Sequence, residues 1–236
     1  MVRIFFIRHG QASFHAADYD QLSELGAEQS RLLGEWFDQC GWPVHHVVAG
    51  GMKRHLQSAE CFFAGYPGAP DWRDRLSRNE GLNELDHRDV FEHWIAVENP
   101  EAAVRGAKFS DMTPTEFETK WPGAICRWAT DEQNDDAYAE PWPIFNKRCV
   151  AALHEAAALG KSGENILVFT SAGTISAICR HILGISAEQM VRFMWEMTNG
   201  SFSCITHRGG DRYSLSTFNT TAHLDRVGRP ELITIK

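Results

Sequence analysis

Arg8, His9 and Gly10 close an apolar run, Val2-Arg3-Ile4-Phe5-Phe6-Ile7, near the N-terminus. An arginine offers a planar fork of N–H donors to an oxyanion, and a neutral imidazole beside it can attack phosphorus. A glycine in the turn lets backbone and ligand approach closely. Further along, Arg54 follows Gly50-Gly51, and Glu84 sits in an acidic stretch with Glu80, Asp86 and Asp89. Ser171 precedes Ala172-Gly173. Each has a plain alternative. Arg54 can be a solvated helix residue, although a cation in a first turn opposes the helix dipole and so favours a functional reason. Glu84 can be one more surface carboxylate, and Ser171 can simply cap the helix after it.

These groups need elements to position them. Residues 2–8 read as a buried strand, 44–49 as a second one stopped by Gly50-Gly51, and 165–170 as a third. Helices are expected over 20–39, 53–63, 145–159 and 173–183; in the first, Leu22, Leu25, Leu32, Leu33, Trp36 and Phe37 fall roughly at helical spacing. Residues 201–208 and 212–218, parted by Gly209-Gly210, read as a terminal hairpin. Strands alternating with helices imply an α/β fold whose mostly parallel sheet carries helices on both faces. Right-handed crossovers then bring the turns after residues 8, 49 and 170 to one sheet edge, where such sheets bind ligands.

Between residues 71 and 142 the pattern is less regular, rich in tryptophan, charge and proline, with helical stretches over 89–98 and 114–120. This segment reads as a helical insertion, or lid, within a single domain spanning 1–236. Trp72, Trp94, Trp121, Trp128 and Trp142 form either a cover for an organic substrate or the insertion's own core. The 236 residues, 43% hydrophobic, suffice for a substantial core. A formal net charge of −8 argues against a general nucleic-acid surface, so any anion site must be a local cluster of arginine and histidine. Six scattered cysteines without Cys-x-x-Cys or metal-ligand spacing suggest reduced thiols. No signal peptide or membrane span is expected, and a cytoplasmic setting fits. Oligomeric state is not legible.

With these segments in order, the chain resembles the histidine phosphatase superfamily, which includes the cofactor-dependent phosphoglycerate mutases. Arg8-His9-Gly10 matches the signature, and Met52 through Glu60 looks like the segment in which an arginine opens a helix and Gln-Thr/Ser-Ala follows. Gly81-Leu82-Asn83-Glu84-Leu85 resembles the stretch carrying the acid, and 166–183 the late strand-turn-helix. Asn219 through Leu224 is similar to a tail found among small phosphatases of the group, where His223 is expected to be structural. The resemblance implies a phosphoglycerate mutase-like fold. It further implies His9 as nucleophile, Arg8 and Arg54 as phosphate ligands and Glu84 as proton donor. No metal or other cofactor is called for, because the arginines neutralise the transferred charge.

Departures accompany the match. Where the family carries a second histidine in a Ser/Thr-His-Gly-Gly turn, this chain has Ser171. Losing one positioned donor costs about 2.7–4 kcal/mol, on the order of 10²–10³ in rate, so a slow enzyme is expected. A histidine restored at 171 is expected to raise turnover. Ala12 and His15 stand where a Ser/Thr and an Asn often line the phosphate, and His15 is a candidate replacement contact. Gly50-Gly51 replaces the usual Ser-Ser.

The expected activity is metal-independent hydrolysis of a small phosphorylated molecule through a phosphohistidine at His9. The alternative is a catalytically impaired relative that binds a phosphorylated ligand or a protein partner. Mutase-type phosphotransfer ranks below hydrolysis, since it asks for more cationic contacts than the sequence offers.

Overall fold

The computed structural model describes residues 1–13, 20–98, 100–101, 112–131 and 138–235. Six strands form one sheet in the order β3-β2-β4-β1-β5-β6. They are β1 (Val2–Arg8), β2 (His46–Ala49), β3 (Leu76–Arg78), β4 (Asn165–Thr170), β5 (Phe202–His207) and β6 (Tyr213–Thr220). β3, β2, β4 and β1 run parallel, whereas β5 and β6 close the other edge antiparallel. The sheet is therefore mostly parallel, as the alternation of elements predicts.

β1 lies between two strands and is covered on both faces, which its unbroken apolar run permits. Alternate side chains separate the two cores. Ile4, Phe6, Ile166 and Val168 face one cluster, and Phe5, Ile7, Leu167 and Phe169 face the other. Helices α1 (Glu24–Gln39) and α2 (Lys53–Gly65) cover the second cluster through Leu33, Phe37, Ala59, Phe62 and Phe63. Helix α3 (Trp72–Arg75) adds Trp72, which stacks on Phe63 at 4.6 Å. The other face is covered by α6 (Trp142–Leu159), α7 (Ala172–Leu183) and α8 (Ala187–Trp195), joined by α4 (His87–Glu98) and α5 (Pro114–Thr130) of the 71–142 segment. Phe91, Ile95, Trp121, Ile125 and Trp128 of that segment are buried in the same cluster as Ile4 and Phe6. Trp121 and Trp128 thus serve as core rather than as an exposed cover.

A short helix, α9 (Ala222–Asp225), places Leu224 against Leu32 and Leu232, tying the chain end to α1. His223 is wholly buried here, with its ring centroid 6.5 Å from that of Phe202. Among the described residues no helix is long and apolar enough to cross a membrane.

Strand register fixes the site's frame. Arg8 pairs with Thr170 and Ala49 with Phe169, so β1, β2 and β4 end side by side. The chain segments that follow all leave from one edge: His9-Gly10, Gly50-Gly51-Met52, and Ser171.

Candidate active site

His9 leaves β1 with its N–H donating to Thr170 O at 2.9 Å, and its ring is 6% exposed. Its Nδ1 lies 2.7 Å from Gly10 O. A carbonyl can only accept, so Nδ1 carries the proton and Nε2 keeps its lone pair. Burial holds the His9 pKa well below its ordinary 6.5, and the charges of Arg54 and Arg8 push the same way, with His55 adding to it. Each of these effects favours the neutral ring over the charged one.

Gly10 sits where only glycine fits. A Cβ there would lie 2.1 Å from Gly26 O, the first turn of α1. The Gly10 N–H donates to Ser58 Oγ at 3.1 Å, and that hydroxyl donates to Arg54 O at 2.7 Å. The loop after His9 is thus bonded to the helix that bears the second arginine.

Arg54 occupies the first turn of α2 and is 5% exposed. Its Nη1 meets Asp20 Oδ1 at 2.9 Å, while Asp20 Oδ2 accepts from the Lys53 N–H at 2.9 Å. Asp20 thereby offsets the unfavourable cation at a helix N-terminus and replaces a side-chain cap that Met52 cannot supply. Arg8 is steered from elsewhere: its Nη1 donates to Met197 O and to Ile235 O, the latter at 3.3 Å. The end of the chain therefore helps to aim the first arginine.

Ser171 is wholly buried at the N-terminus of α7 but does not cap it. Its Oγ lies 2.7 Å from Nε2 of His55, a residue of α2 that is itself wholly buried. The rings of His55 and His9 are 5.9 Å apart between centroids. Burial, reinforced by the Arg54 charge, holds His55 well below 6.5. The capping function passes to Glu84, whose Oε2 accepts from the Gly173 N–H at 3.3 Å. That oxygen satisfies one of the N–H groups left without a partner at a helix N-terminus. The loop around Glu84 is strapped by its carbonyls: Arg148 Nη1 donates to Asn83 O at 2.7 Å and Thr170 Oγ1 to Leu82 O at 2.5 Å.

The turns bearing His9, Arg54, Ser171 and Glu84 thus share one edge, with Arg8 behind them. His15 lies outside the described residues. Sequence reasoning missed His55, Asp20 and Arg148. Asp20 read as the start of a helix that in fact begins at Glu24, and Arg148 sits mid-helix with nothing in its neighbours to mark it. His55 follows Arg54 directly, and that adjacency was the available signal.

The fold has counterparts among known proteins. The family model described as "Histidine phosphatase superfamily (branch 1)" matches residues 101–221, just over half of the chain. No curated protein sequence matches. Solved structures do. A phosphoserine phosphatase from Entamoeba histolytica superposes with a TM-score of 0.63 at 14% identity, covering 95% of this chain and 100% of the other. A mycobacterial glucosyl-3-phosphoglycerate phosphatase bound to inorganic phosphate gives 0.64 at 18%, over 94% and 98%. A phosphoglycerate mutase from Bacillus anthracis gives 0.63 at 18%, over 97% of both. At such identities the likeness establishes a phosphoglycerate mutase-like fold. With the family match, it leads to one conclusion: this chain belongs to the histidine phosphatase superfamily.

Proposed function

We propose that the protein is a metal-independent phosphomonoester hydrolase that works through a phosphohistidine at His9. The observation that carries this reading is the setting of His9, a buried imidazole whose Nδ1 is bonded to Gly10 O, which leaves the lone pair on Nε2, with two arginines whose charges push its pKa down. In the first half-reaction Nε2 attacks phosphorus and the P–O bond to the leaving group breaks. The departing alkoxide takes a proton from Glu84. Arg8 and Arg54 hold the equatorial oxygens, where charge concentrates, the Ser171 hydroxyl adds a neutral contact, and His15 is a further candidate contact. In the second half-reaction Glu84 removes a proton from water, which attacks the phosphohistidine and releases phosphate and free His9.

Turnover is expected to be slow, because a neutral hydroxyl stands at 171. The substrate is a small phosphorylated molecule whose leaving group meets residues 71–142, which act as a lid within one domain. Six free thiols fit a reducing, cytoplasmic setting. Mutase-type phosphotransfer remains the lesser reading within the enzyme class. One observation favours a catalytically impaired protein instead: Asp20 Oδ1 already pairs with Nη1 of Arg54, one of the nitrogens that would face phosphate.

Hydrolysis of para-nitrophenyl phosphate separates the readings. The parent protein should release phosphate, and His9→Ala should lower that rate by on the order of 10³-fold or more. Equal background in both proteins, with inorganic phosphate still bound, would establish the binding protein and reject the hydrolase.

A further inference from the structure

We propose that His55 is a positioning residue that aims the Ser171 hydroxyl at the anion held beside His9; this rests on the hydrolase reading above. Three observations on the chain carry it. His55 and Ser171 come from different elements, α2 and the β4–α7 turn, yet meet at 2.7 Å in a fully buried contact. That contact lies beside the nucleophile, because Ser171 follows Thr170, whose carbonyl accepts from the His9 N–H, and the two imidazoles are 5.9 Å apart. The other ring nitrogen, His55 Nδ1, is buried and has no hydrogen-bond partner among the described residues.

The last point fixes the direction of the bond. A neutral imidazole carries one proton, and a buried N–H without an acceptor is rarer and costlier than a buried lone pair. The proton therefore belongs on Nε2, which donates to Ser171 Oγ. The serine's own O–H is then turned away from His55 and left to donate. Burial keeps His55 neutral, which preserves this assignment across the neutral pH range.

Gly50 belongs to the same device. A Cβ at Gly50 would lie 2.2 Å from His55 Nδ1, so the ring packs directly on the glycine backbone. Any side chain there must push the imidazole off Ser171. Gly50, His55 and Ser171 thus form one packed unit.

The test is a double-variant cycle in kcat and KM on para-nitrophenyl phosphate, using the full chain. His9→Ala serves as control for the underlying chemistry. Ser171→Ala should lower kcat by on the order of 10²-fold. His55→Leu should lower it by roughly tenfold or more, since misplacing a donor by an ångström is costly. The combined variant should be no worse than Ser171→Ala alone, because His55 acts through the serine. His55→Gln, which keeps an N–H at a similar reach, should recover part of the loss. Independent losses that multiply would overturn the proposal, as would full activity in His55→Leu. If His9→Ala keeps full turnover, the hydrolase reading fails instead. A measurement on the parent protein needs no variant to fold: the nitrogen spectrum of His55 should show the Nε2–H tautomer, and an Nδ1–H tautomer would refute the assignment.

Discussion

A histidine introduced at position 171 would meet an imidazole already in place. Ser171 is wholly buried and its Oγ touches the His55 ring at 2.7 Å, so a second ring has no room beside the first. Overpacking of this kind costs about 1–3 kcal/mol. The sequence alone led to the opposite expectation, a gain in turnover, because it treated 171 as a vacancy. Ser171→His should instead lower both the thermal midpoint and kcat. Adding His55→Ala to Ser171→His conserves the imidazole and much of the volume and should recover stability. Thermal unfolding and steady-state rates decide this; a faster Ser171→His protein of parental stability would contradict the packing argument.

Among the elements, local pattern was a good guide where burial is two-sided or the period is strong. β1 and β4 match their expected limits because an unbroken apolar run, ended by a turn, has few other readings. The hairpin shifted by one or two residues, and α1 begins at Glu24 because Ser23 accepts from the Gly26 N–H and caps it there. Other elements escaped for identifiable reasons. β3 is three residues of an edge strand, mostly exposed, and too short to show alternation. α5 runs on to Thr130, past the expected limit of 120, although Pro122 lies inside it. α8 was not expected either, although Ser186 and Gln189 form a reciprocal capping box that the spacing Ser-x-x-Gln encodes. Of the site, the Arg-His-Gly turn and the second arginine were readable, since both follow strands. The His55–Ser171 contact was not, because it depends on how far α2 tilts toward α7 and on the absent side chain of Gly50.

In the molecule as a whole, burial favours the neutral form of several histidines. His223 is wholly buried, and burial pushes its pKa down to about 4. His9 and His55 are displaced in the same direction. An unfolded chain binds protons at these groups near pH 6.5, whereas the folded one resists until much lower pH. The unfolded state therefore gains protons first as the medium is acidified, and stability falls between pH 6.5 and about 4. For His223 the slope is about 1.4 kcal/mol per pH unit. The urea midpoint should drop from pH 7.5 to pH 5, and His223→Leu should flatten part of that slope. An unchanged midpoint would mean these rings are charged, and solvated, in the native state.

The central claim is that His9 becomes covalently phosphorylated during turnover. Rapid mixing with para-nitrophenyl phosphate, quenching in alkali to preserve a phosphoramidate, and mass spectrometry of the peptides tests it most directly. One phosphoryl group on the peptide containing His9, absent from His9→Ala, is the predicted result. Release of para-nitrophenol with no phosphorylated His9 at any time point before steady state, or with the phosphoryl group on another residue, would contradict it.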